Sequence, residues 1–121
     1  MTTIKRIYAE PSEADGFRVL VDRLCPRGMT KERARVDLWL KDIAPTPGLR
    51  QWFGHDTERW SDFVKQYLEE LETRPELLAL LADKSRQGTV TLLFASRDED
   101  HNEAVVLHRL LNAPESPGHA G

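Results

Sequence analysis

The chain has 121 residues, a formal net charge of −3, 31% charged and 40% hydrophobic residues, and one cysteine. That is the size of one ordinary domain with enough apolar content for a core, and a lone cysteine forms no internal disulfide, which fits a reducing cytoplasm. The acidic balance argues against a protein that coats nucleic acid through a general basic field, and the sequence shows neither a signal-peptide pattern nor an apolar run near the ~20 residues of a membrane span.

The first segment, IKRIYAE (Ile4 to Glu10), reads as a strand, with Ile4 and Tyr8 on one side and Ile7 on the other. PSEADG is a loop. FRVLVDRL (Phe17 to Leu24) is a second strand, rich in β-branched and apolar residues, and the Pro26-Arg27-Gly28 turn stops it. Thr30, followed by Glu32 and Arg33, can open a short helix. In VDLWLKDIAP, Val36, Leu38 and Leu40 alternate with Asp37, Trp39 and Lys41, as in a third strand, in a window too short to separate strand from helix. Thr46 and Pro47 form an N-cap and first-turn pair before the short helix GLRQWFGH. Asp56 can cap the next helix, whose Trp60, Phe63, Val64, Tyr67, Leu68 and Leu71 make one apolar stripe.

Thr73-x-x-Glu76 has the form of a capping box, with Pro75 in the first turn of a helix that Gly88 ends. TVTLLFA (Thr89 to Ala95) is a nearly unbroken apolar run, the pattern of a central strand covered on both faces. SRDEDHNEAVVLHRLL starts a final helix, with Asp98 or Asp100 as its cap and Asn112 before Pro114 at its end. The remaining tail, residues 113–121, is short and rich in proline and glycine and is expected to be flexible. Crossovers of these lengths favour parallel pairing. The expected fold is a small single α/β domain over residues 1–112. Its sheet is mixed, largely parallel, three- or four-stranded, with helices packed on it and Thr89–Ala95 central.

Two strands end in polar clusters. The first supplies Asp22, Arg23 and Arg27; the second supplies Arg97, Asp98, His101 and Asn102 where a helix begins. Ligands of open α/β sheets bind beyond the carboxyl ends of the strands, so parallel strands would bring both clusters to one edge. Arginine forks beside a helix N-terminus favour an anion. This reading makes Arg23, Arg27, Arg97 and Asn102 the ligand-binding set. It makes Asp22, Asp98 and His101 the acid–base set, histidine being the side chain that titrates nearest neutral pH. The plainer alternative is an Asp22–Arg23 salt bridge at the sheet edge and aspartates that only cap. His55 reads as structural, in a turn between helices, and Trp39, Trp52, Phe53 and Trp60 read as core.

A metal reading of DEDHN fails. Asp98, Asp100 and Asn102 fit the opening of a calcium loop, but Glu103 stands where glycine is required and Arg109 where the closing glutamate should be. Cys25, flanked by two arginines, invites a thiolate reading. A phosphatase-type loop, however, needs an arginine where Lys31 stands, so Cys25 is expected to act as a small, partly buried hydrophobe.

The stretches FRVLVDRLCPRGMTKE, LWLKDIAP, LRQWFGHD and TVTLLFASRDEDHNEAVVL, taken together and in order, resemble the YeaO-like proteins of domain-of-unknown-function family 488. The resemblance spans about residues 3 to 112. It implies a bacterial or archaeal, cytoplasmic protein of a family with no established activity. The family pattern D-R-L-W-P-R-G appears here with Cys25 in place of tryptophan, which speaks against a catalytic thiol. The Ala-Arg-Asp pattern appears as Ser96-Arg97-Asp98, followed by His101 and Asn102.

Three function classes stay open at this level. One is a pocket, catalytic or not, for a phosphorylated or nucleotide-like small molecule. Another is a nucleic-acid accessory protein using the same arginines, against which the acidic charge counts. The last is a non-enzymatic interaction domain whose polar clusters only hold the fold. No cofactor is identified and no membrane partner is expected.

Overall fold

Four short runs of aliphatic and β-branched residues form strands β1 (Thr2–Arg6), β2 (Phe17–Leu20), β3 (Leu38–Trp39) and β4 (Val90–Phe94). They come from a computed structural model that describes residues 1–112; the tail 113–121 lies outside the described residues. The strand order is β1-β4-β2-β3, and all pairings are parallel. The expected α/β sheet is therefore present, with β4 interior and all five of its residues buried. Among the described residues, five α-helices accompany it: α1 (Lys31–Ala34), α2 (Pro47–Phe53), α3 (Trp60–Glu72), α4 (Pro75–Gln87) and α5 (Glu103–Asn112). Among the described residues, no helix is long and apolar enough to cross a membrane.

Alternation along the strands divides the core in two. Val19, Val21, Leu92 and Phe94 face a large cluster with Phe53, Phe63, Tyr67, Leu81 and Leu107 of the helices. Leu20 and Leu93 point the other way, to a small cluster with Ile7 and Ala34. The thin side is held by a buried ion pair. Arg18 is 3% exposed and donates to the Ala34 carbonyl from Nε at 2.9 Å and Nη2 at 2.7 Å, while its Nη1 bonds the Asp15 carboxylate. Asp15 also takes Lys5 Nζ at 2.8 Å. Gly16 beside it is required: its φ is +63°, and a Cβ there would lie 2.2 Å from the Thr89 carbonyl oxygen.

Several boundaries differ from the sequence reading. β1 begins at Thr2 and ends at Arg6, because the threonine edge pairs with β4, where Thr3 Oγ1 meets Thr91 Oγ1 at 3.0 Å. β2 stops at Leu20, and Asp22 turns back to accept the Ala95 amide. Thr73 caps no helix start; its hydroxyl donates to the Glu70 carbonyl at 2.7 Å and closes α3, so α4 opens after Arg74 without a side-chain cap. Neither Asp98 nor Asp100 caps α5. Asn102 does, its Oδ1 accepting Val105 N–H at 3.1 Å. Thr46 does cap α2, accepting from Leu49 N–H, and Glu70 of α3 takes both the Thr46 amide at 2.9 Å and its hydroxyl at 2.6 Å. That long-range clasp fixes the start of α2 against α3, and α2 forms one wall of the candidate site.

Candidate functional site

Because β2 and β4 run parallel, their exits meet at one edge, and α5 starts there. A cavity of about 500 Å³ opens at this edge. Asp22, Arg23 and Leu24 line it from the β2 exit, Ala95 and Ser96 from the β4 exit, and His101, Asn102 and Glu103 from the start of α5. Arg50 and Phe53 of α2, with His55 after it and Phe63 of α3, supply the opposite wall. The lining is mostly apolar with a few convergent polar groups, the usual make-up of a small-molecule site.

Asp22 is fixed from two sides. Its Oδ2 accepts the Ala95 amide at 3.0 Å, and its backbone carbonyl accepts Trp39 Nε1 at 2.7 Å. Glu103, the first residue of α5, lies against it. Burial pushes the Glu103 carboxyl well above the ordinary glutamate range; the hydrogen bond to Asp22 and the Asp22 charge push the same way, and Arg50 pulls back. Two carboxyls in contact cannot both ionise cheaply, so Glu103 favours its protonated form. Tyr67 packs behind it, fully buried, its hydroxyl donating to the Ile43 carbonyl at 2.6 Å. Burial, and then the charge of Glu103, keep that phenol neutral.

His101 and Asp98 form a second pair. The His101 Nδ1 lies 2.9 Å from Asp98 Oδ2 and 3.1 Å from Oδ1, and the ring stands edge-on to Trp60 with centroids 5.1 Å apart. The Asp98 carboxylate is held below its ordinary range by the backbone N–H of Asp100 first, with the His101 ring and amide adding. Asp98 itself does not line the cavity; it orients His101, which does. With Nδ1 engaged, Nε2 is the nitrogen left to a ligand.

The predicted ligand-binding residues separate. Arg23 lines the cavity, but its guanidinium is half-buried and occupied. Nη2 donates to the Ala44 carbonyl at 3.2 Å, Nε to the Pro45 carbonyl at 3.4 Å, and Nη1 lies 3.6 Å from Asp42. Asn102 is 3% exposed and spends both ends of its amide on the chain: Oδ1 caps α5 and Nδ2 donates to the Asp98 carbonyl at 2.8 Å. Arg27 and Arg97 are exposed and outside the cavity lining. Arg27 sits in the turn after β2, where its carbonyl accepts the Tyr8 hydroxyl, and Arg97 lies in the loop after β4. Cys25 is exposed, not partly buried as expected, with its thiol 3.5 Å from the Met29 carbonyl.

Residues 1–116 match the model of a family described as the inactive DUF488-N3 subclade. The chain belongs to this DUF488 family. It is 40% identical over 109 residues to the uncharacterized protein Rv3073c of Mycobacterium tuberculosis H37Rv, covering 90% of this chain and 92% of that one. It is 38% identical over 103 residues to the uncharacterized protein YeaO of Escherichia coli K12, covering 85% and 90%. No solved structure matches the chain. The resemblance read from the four sequence stretches thus holds for this DUF488 domain over nearly its whole length.

Two residues of the cleft escape the sequence reading. Arg50 is exposed on α2, lines the cavity, and among the described residues its guanidinium makes no hydrogen bond or ion pair. Its signal was weak: it stands between Leu49 and Phe53, the buried residues of α2, inside the family stretch LRQWFGHD. Glu103 reads as an ordinary acid in the first turn of a helix, where the dipole favours it, and its pairing with Asp22 is purely tertiary. His55 also lines the cavity, in a left-handed conformation with φ 61° behind Gly54.

Proposed function

We propose that this domain binds a small phosphate-bearing molecule in the cleft at the carboxyl edge of its sheet, and does so without turnover. The observation that carries the reading is Arg50, a cation without a side-chain partner among the described residues, on the wall of an apolar cavity, with Nε2 of His101 available opposite the Asp98 contact. An arginine fork with no protein partner suits a phosphate oxygen pair. Compared with the sequence reading, the anion moves from Arg23, Arg27 and Arg97 to Arg50, because the first is engaged by backbone carbonyls and the other two lie off the cleft. The description of the family as an inactive subclade supports binding over catalysis. The Asp98–His101 pair then serves recognition rather than proton transfer.

Thermal melts in inorganic phosphate, against chloride at matched ionic strength, test this. Wild type, Arg27→Ala and Arg97→Ala are expected to gain the same phosphate-dependent rise in Tm. Arg50→Ala should lose it, since a charge-assisted hydrogen bond is worth about 1.5–3 kcal/mol, roughly ten- to a hundredfold in affinity. Arg97→Ala in plain buffer should stay within about 0.5 kcal/mol of wild type. A phosphate shift that survives in Arg50→Ala, or disappears in Arg97→Ala, contradicts the assignment.

A further inference from the structure

We infer that the Asp22–Glu103 carboxyl pair reads hydroxyl groups on the ligand, so that the cleft takes a phosphorylated polyol. This rests on the binding reading above and adds the other half of the ligand. Asp22 and Glu103 both line the cavity that Arg50 lines. Asp22 comes from the exit of β2 and Glu103 from the first turn of α5, so two rigid elements set their separation. The Ala95 amide holds Asp22 Oδ2, which anchors the pair whether or not a ligand is present.

Charge decides what can approach. Glu103 favours its protonated form through burial and its contact with Asp22, so the carboxyl end of the cleft offers a phosphate no cation and the phosphate is directed to Arg50. The oxygens not used between the two carboxyls or by Ala95 have lone pairs but no donors, and a ligand group placed there must donate. A neutral hydroxyl does this without bringing a second full charge into a half-buried site, whereas a buried polar group left unmatched is costly. Phe53 and Phe63 cover the carbon skeleton between the two ends. The cavity of about 500 Å³ has room for a sugar-sized molecule. The site is therefore bipolar: a cation at one end for the phosphate, acceptors at the other for hydroxyls, and aromatic walls between.

Titration calorimetry with three phosphates of matched size tests the inference: glycerol phosphate, propyl phosphate, which lacks hydroxyls, and phosphoethanolamine, which carries an amine. Wild type should bind glycerol phosphate at least about tenfold tighter than propyl phosphate, as expected when donors meet charged acceptors. Glu103→Gln should shrink that preference to roughly threefold or less while propyl phosphate binds as well as before, because Glu103 favours its neutral form and the replacement changes the charge of the cleft little. Asp22→Asn should do the same, and Glu103→Gln keeps the test independent of any folding defect caused by losing the Ala95 contact. Arg50→Ala should weaken all three ligands together. A hydroxyl preference that persists in Glu103→Gln overturns the role of the pair and leaves the cleft reading standing. Tightest binding of phosphoethanolamine overturns the hydroxyl class in favour of a cationic one. Failure of all three phosphates to bind wild type overturns both readings.

Discussion

Arg18→Ala is expected to lower the stability of this domain by about 3–5 kcal/mol, the cost of breaking a buried pair from one side. The Arg18 guanidinium is buried, and it satisfies the Asp15 carboxylate and the last carbonyl of α1 at once. Truncation leaves the buried Ala34 carbonyl without its donors and takes one cation from the Asp15 carboxylate, which keeps Lys5 and the Ser12 amide. It also releases α1 from the sheet, because few apolar contacts hold that side: the cluster there is only Ile7, Leu20, Ala34 and Leu93 with four partly buried neighbours. Burial alone would push the Asp15 carboxyl up, yet the hydrogen bond from Lys5, the Ser12 amide, the Lys5 charge and Arg18 together hold it below the ordinary aspartate range. A carboxylate so depressed adds stability above its unfolded-state pKa, and that stability is lost as pH falls through the folded value. Urea unfolding of wild type and Arg18→Ala at neutral and acid pH measures both effects. The gap between the two proteins should narrow as the medium becomes strongly acidic. An unchanged unfolding midpoint at neutral pH would show that the pair is solvated and does not hold α1.

Glu103→Gln is expected to act in the opposite direction. Folded, Glu103 keeps its proton well above the ordinary glutamate range, chiefly because of burial and then because of Asp22. The contribution of this group to stability is fully present below the unfolded-state pKa and is lost as pH rises toward the folded value. The slope reaches at most about 1.4 kcal/mol per pH unit for one proton. Glu103→Gln removes that slope, so the variant should melt above wild type at neutral and alkaline pH and converge with it in mild acid. Such a gain in stability from deleting a cleft residue is the usual signature of a group kept for binding. Parallel pH profiles for the two proteins would mean that burial and Asp22 do not hold the proton on Glu103.

The two carboxyls also mark the limit of what the sequence could show. The nearly apolar run before Ala95 announces a central strand, since its five residues are all buried and Thr91 is the one polar side chain among them. Once β2 and β4 are parallel, the meeting of Asp22 and Arg23 with His101 and Asn102 at one edge follows. What each polar group does there does not follow. Asp98, Asp100 and Asn102 are all good caps within five residues, and only the position of the first turn of α5 selects Asn102. Arg23, Arg27 and Arg97 look alike along the chain. The first turns back to the Ala44 and Pro45 carbonyls, and the other two remain in water. Arg50 reaches the cleft because Glu70, on another helix, pins Thr46 at the head of α2. Such a contact spans 24 residues and leaves no periodicity to read.

The central claim is that the ligand sits at the carboxyl edge between β2, β4, α2 and α5, and an amide-resolved NMR titration with inorganic phosphate tests it most directly. Shifts are expected to concentrate at Arg50 and Gln51 on α2, Ala95 and Ser96 after β4, and His101 to Glu103 at the head of α5. Shifts gathered instead around the exposed basic stretch from Arg27 to Lys41, or none at any residue, would contradict it.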